Sequence, residues 1–195
     1  MTTSQQSAIS MPDLCDLVSL LTTADPSANV DLPDSKGRTL LSYSVESGDA
    51  YVGLTRLLIN LGAQTTHSDQ FGWFLRAQMR KMGAEAELDE ETFYVLSTAM
   101  MEELGGSTTE FKSIIDRSML THGSSPAVHG PLFRRIRALA APLWLQPQQL
   151  RALAVKSVRK ALGPKRLSKE VMKRLKVPRK LQRFVTLEEK IPTSN

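Results

Sequence analysis

The chain has little cysteine, few aromatic residues and no long apolar run. Cys15 is its one cysteine, so no internal disulfide can form. With His67, His122 and His129 it makes no zinc-ligand spacing, and neither a metal nor a cofactor is expected. No stretch reaches the roughly 18 consecutive apolar residues that a membrane span needs, so no membrane association is expected. The opening residues are small and polar, without the basic-then-apolar order of a signal peptide. These absences lead to the expectation of a soluble protein in a reducing compartment, the cytoplasm, with the nucleus also open. Catalytic signatures are missing too. The three histidines have no nucleophile partner marked by spacing. Gly105 and Gly106 have the character of a turn rather than a phosphate loop. The acidic run Glu85, Glu87, Asp89, Glu90, Glu91 has the character of a solvated helix start. No catalytic residue is assigned, and a non-enzyme is expected.

Apolar residues make up 41% of the chain, enough for a core, while aromatics at 6% suit helices better than sheets. Leu14, Leu17, Val18, Leu20 and Leu21 fall near helical spacing, with Asp13 as a cap and Asp25-Pro26 beyond the end. Two short apolar helices follow, one ending at Gly48 and one at Gly62, as a helical hairpin. Three more runs read as helices. Phe93 to Leu104 has Glu90 and Glu91 in its first turn and glycines after it. Phe111 to Leu120 stops at His122-Gly123. Leu132 to Ala140 is opened by Pro131 and closed before Pro142. Residues 1–11 read as disordered and Gly123 to Gly130 as a loop. No run alternates as a strand does, so the expected fold is all-α.

The segment Asp34, Gly37, Thr39, Leu41, Gly48, Leu57, Leu58, Gly62 and Ala63 resembles an ankyrin repeat, with Leu40 and Ser42 in place of the family's Pro and His. Leu17 to Asn29 resembles the second helix of an earlier repeat. Asp69 and Gly72 restart the D-x-x-G turn 35 residues after Asp34. The resemblance implies divergent ankyrin-like repeats over 12–82. One or two repeats cannot bury their faces alone, so a helical extension over 83–141 is expected to cover the open end. Trp73 and Phe74, beside the second turn, are candidates for recognition of an unknown protein substrate, with burial in the core as the alternative.

Beyond Pro147, the residues Leu150, Leu153, Ala154 and Val158 share one helix face. Farther on come Leu175, Lys176, Val177, Pro178, Leu181, Phe184 and Val185. This ordered pair resembles a SOCS box, over 143–188. The resemblance implies Elongin C binding by Leu150, Leu153, Ala154 and Val158, with Elongin B alongside. It also implies cullin-5 binding by Leu175, Val177, Pro178, Leu181 and Phe184. Ala154 stands where the family has Cys, and Lys176 replaces a proline, so weaker cullin-5 recruitment is implied. The function implied is that of a substrate-recognition subunit of a cullin–RING ubiquitin ligase.

Charge supplies the rivals. Residues 151–183 carry 13 Lys or Arg against one acid, Glu170. The rest of the chain is net acidic. Such a basic stretch also suits nucleic acid, although no aromatic platform interleaves it. A plain ankyrin scaffold with a helical tail is the third reading.

Overall fold

In the computed structural model the described residues are 10–25, 28–66, 69–81, 87–123 and 126–145, with 157–158, 161, 182–183 and 185–186 toward the C-terminus. All regular structure among them is helical, and the fold is all-α. The helices are α1 (Met11–Ala24), α2 (Leu40–Ser47), α3 (Val52–Asn60), α4 (Gln70–Lys81), α5 (Glu90–Glu103), α6 (Thr108–His122) and α7 (Pro126–Leu145). A 3-10 turn, Gly48–Tyr51, joins α2 to α3.

Local chemistry sets the helix starts. Ser10, not Asp13, caps α1: its Oγ accepts from the Asp13 N–H at 3.3 Å and donates to the Asp13 carboxylate at 2.5 Å. Residues 10 and 11 are therefore part of the helix start. Thr39 and Ser42 form a reciprocal capping box at α2. Ser42 N–H donates to Thr39 Oγ1 at 3.2 Å, and Thr39 N–H donates to Ser42 Oγ at 3.1 Å. Ser107 caps α6 through the Glu110 N–H. The ends of α5 and α6 fall where the glycines and His122 place them.

Two expectations change. Asp69 and Gly72 do not make a loop turn. Asp69 Oδ1 accepts from the Gly72 N–H at 3.2 Å, and Gly72 lies inside α4. An aspartate three residues before an N–H caps a helix as readily as it closes a turn, and the apolar periodicity of 71–79 selects the helix. Pro131 and Pro142 do not bound α7 but lie within it, and 126–130 is helical rather than loop. Each proline removes a backbone bond and costs about 3 kcal/mol in a helix interior. Against this, Leu132, Ile136 and Ala140 recur every fourth residue and are all buried, so an unbroken stripe rewards one straight helix.

The helices pack in two rows. α2, α4 and α6 are successive neighbours in one row, and α1, α3 and α5 in the other. Across the rows α2 pairs with α3, α6 with α7, and α4 with α5 through an aromatic trio. Phe71, Phe74 and Phe93 lie with ring centroids 6.0–6.2 Å apart, and Phe93 meets Phe71 edge-on. One core runs from Val18 to Ala140. α4 and α5, on either side of residue 82, both contribute to this core.

A carboxylate junction ties the rows together. Asp49, in the 3-10 turn, accepts from the Thr92 N–H at 2.7 Å at the start of α5. Asp89, just before α5, accepts from the Asp49 N–H at 3.2 Å and from Gln78 Nε2 at 2.5 Å, and it pairs with Lys81. Burial alone would raise the Asp89 carboxyl. Lys81, the Gln78 amide and the Asp49 N–H outweigh that and hold it below the ordinary 3.8. Gly48 lets this carboxylate approach: its φ is +72°, and a Cβ there would sit 2.2 Å from Asp89 Oδ2.

Two outcomes follow. Gly48→Ala should cost about 1–3 kcal/mol in thermal or urea unfolding, from the backbone conformation and the clash together. A loss below 0.5 kcal/mol, at about the noise of such measurements, would contradict the packing described. A lowered carboxyl stabilises the fold fully above its unfolded value, and the contribution is lost as pH falls through the folded value. Asp89→Asn should therefore lower the melting temperature at pH 7, and its gap to wild type should narrow below about pH 4. A gap that widens on acidification would reverse the sign argued here.

Candidate functional site

The exposed edge of the α2–α4–α6 row gathers the cations and aromatics that stand out on the described surface. A tight turn builds its first part. Asp34 Oδ1 accepts from the N–H groups of Lys36 and Arg38 at 2.8 and 2.9 Å, and Gly37 adopts φ +73° to close the loop. Asp34 Oδ2 then accepts from Tyr43 OH at 2.7 Å and from Arg38 Nε at 3.3 Å. The Tyr43 hydrogen bond, followed by the Arg38 N–H, holds the Asp34 carboxyl far below the usual range, and the same bond raises the Tyr43 phenol above 10.0.

Arg38 is placed by this turn over the Tyr43 ring, 4.2 Å from its centroid, and stands 5.7 Å from the Trp73 centroid. Arg76, three residues on from Trp73 in α4, covers that indole at 4.2 Å. Arg80 and Arg38 both reach Glu46 of α2. The result is a stacked Tyr43–Arg38–Trp73–Arg76 row, half-buried and charge-balanced. Tryptophan, tyrosine and arginine are the residue types that dominate binding hot spots, because they offer large contact area with few rotamers to freeze.

The row continues into α6. Asp69 Oδ2 lies 2.7 Å from His122 Nε2 and 3.7 Å from Arg76, while Ser118 Oγ donates to Asp69 Oδ1 at 3.3 Å. Serine, aspartate and histidine are thus together, but the hydroxyl bonds the carboxylate rather than the imidazole. Base activation of a nucleophile requires a serine–histidine bond, so this arrangement serves to tie α4 to α6. The cleft beside Asp69, Gln70 and Ser118 holds about 210 Å³. That is below the roughly 300–1,000 Å³ usual for small-molecule sites. Among the described residues no group of His, Cys, Asp and Glu could hold a metal ion, and no helix is long and apolar enough to cross a membrane.

The sequence-derived candidates separate. Trp73 stands on the row, whereas Phe74 is fully buried in the aromatic trio and offers no recognition surface. Val158 is helical and half-buried. Leu150, Leu153, Ala154, Leu175, Val177, Pro178, Leu181 and Phe184 lie outside the described residues. Val185 is 0% exposed, and the next carbonyl, of Thr186, accepts from Asn60 Nδ2 of α3 at 3.1 Å. Arg38, Tyr43, Arg76 and His122 carry no motif of their own. The i,i+3 spacing of Trp73 and Arg76 was the one local signal for their contact.

No known family model matches this chain, and neither a curated protein nor a solved structure matches it.

Arg76→Ala should uncover Trp73 without unfolding the protein. In a Trp144→Phe background, the emission should shift to the red and acrylamide quenching should increase. The stability loss should stay near 1 kcal/mol, because such a pair at a partly exposed site is worth about 0.5–1 kcal/mol. Unchanged quenching would show that Arg76 does not shield the indole.

Proposed function

We propose that the chain is a non-catalytic adaptor: a divergent ankyrin-like array that holds a protein target and a C-terminal SOCS-box-like module that delivers it to a ubiquitin ligase through Elongin B and C. The observation that carries this reading is the stacking of successive helical hairpins in two rows, α2–α3 on α4–α5. In such arrays each unit leans on its neighbours and the exposed edge of one row is free for binding. The Tyr43–Arg38–Trp73–Arg76 row supplies a docking surface of the right chemistry. The C-terminal pattern Leu150, Ala154, Val158 followed by Leu175 to Val185 supplies the recruiting element, with cullin-5 weakened by Lys176. The substrate of this adaptor is a protein, and the compartment it implies is the cytoplasm or nucleus.

A second reading draws on the charge of 151–183, where 13 Lys or Arg face one acid. Nucleic acid would bind such a stretch with a steep salt dependence, whereas apolar anchoring to Elongin C would change little with salt.

Co-expression with Elongin B and C followed by size exclusion tests the choice. Wild type should co-elute with both. Leu150→Ala should weaken the complex about 30-fold or more, since a buried leucine cut to alanine loses about 2–5 kcal/mol. Absence of Elongin B and C from the wild-type peak would defeat the adaptor reading, equal capture by both proteins would defeat Leu150 as its anchor, and tight, salt-steep binding of duplex DNA or RNA at about 150 mM salt would advance the rival.

A further inference from the structure

The first helix presents a face that the rest of the array does not use. α3 and α5 each have a mate in the facing row, α2 and α4, while the one substantial helix contact of α1 among the described residues is with α3. Val18 is buried. On the other side Leu17, Leu20 and Leu21 are 44%, 68% and 56% exposed. Their spacing of three and four residues sets them in one stripe. Scattered exposed leucines are ordinary, but three leucines in one contiguous stripe mark a surface suited to a partner. Asp13 and Asp16, both exposed, extend the same face toward the helix start. The segment 10–35 holds five aspartates and no lysine or arginine.

We propose that this α1 face is a docking site for a basic amphipathic helix of a partner protein. A helix is the element that would give α1 the row mate its successors have. Its apolar stripe would lie on Leu17, Leu20 and Leu21, and its Lys or Arg residues would meet Asp13 and Asp16. A second copy of this chain fits less well, because its α1 carries no Lys or Arg to meet Asp13 and Asp16. The inference stands apart from the ligase reading and uses none of its residues.

The test uses the full chain and a labelled synthetic helix of about 18 residues, with Leu at i, i+3, i+4 and i+7 and Lys elsewhere. Fluorescence anisotropy should show saturable binding that weakens a few-fold from about 50 to 300 mM salt. The same helix with Glu for every Lys should bind at least about tenfold more weakly. The double variant Leu20→Ser, Leu21→Ser should lose at least about tenfold for the Lys helix. Its melting temperature should stay unchanged, since both side chains are already exposed, and this separates lost binding from lost folding. Equal binding by wild type and variant overturns the proposal, as does equal binding of the Lys and Glu helices or no binding of either. Dimerisation of the free chain that the same variant abolishes would assign the face to a second copy and also overturn it.

Discussion

The register of the two rows depends on the carboxylate of Asp89, where the turn after α2, α4 and the start of α5 meet. It receives the Asp49 N–H from the turn behind α2, the Gln78 amide and the Lys81 ammonium from α4, and it stands one residue before α5. A charge this enclosed is tolerated only when its lone pairs are filled, and here three donors from two different elements fill them. The Asp89 N–H in turn donates to Gln78 Oε1, so the link from α4 to α5 is reciprocal. Asp49 repays the contact by capping α5 through Thr92. Two aspartates 40 positions apart thereby fix the angle at which the second hairpin stacks on the first. Gly48 is the residue that makes the approach sterically possible.

A second buried link acts in the same sense at the opposite ends of the helices. Gln70 Nε2, at the start of α4, donates to Thr39 Oγ1, which already caps α2. Helices α2 and α4 thus share one hydroxyl at their N-termini. Glu103, at the end of α5, accepts from the N–H groups of Thr65 and Thr66 and so holds the segment between α3 and α4. Junctions of this kind account for how a short array, without long loops to spare, keeps its rows aligned: side chains that satisfy helix ends in one hairpin come from the next.

Much of this was readable from the residues where local rules act alone. Glu90 and Glu91 mark the start of α5, the paired glycines its end, and His122-Gly123 the end of α6, because caps and dipoles depend on nearest neighbours. The readings that failed involve competition between a local rule and burial. Pro131 and Pro142 are strong punctuation, and the stripe of Leu132, Ile136 and Ala140 overrides them. Asp69 and Gly72 fit a turn or a helix cap equally well until the packing of Phe71, Phe74 and Leu75 is known. The aromatic–arginine row was the least visible part. Trp73 and Phe74 are adjacent in sequence but lie about 100° apart around a helix, so one reaches the surface and the other the core. Arg38 reaches Trp73 from another hairpin, a contact that no spacing encodes.

The C-terminal stretch meets the array in the row opposite to Trp73. Asn60 is the last residue of α3, and its side-chain amide reaches the Thr186 carbonyl across 126 positions. The Thr186 N–H closes a helical turn on Gln182, so the carbonyl Asn60 satisfies belongs to a helix end, one of the groups that a helix leaves unpaired. Val185 beside it is wholly enclosed. The aromatic–arginine row lies along α2 and α4, while Thr186 meets α3, in the other row. On the adaptor reading this separation has a mechanical consequence. A target on the first and a ligase on the second would then sit on different sides of the array.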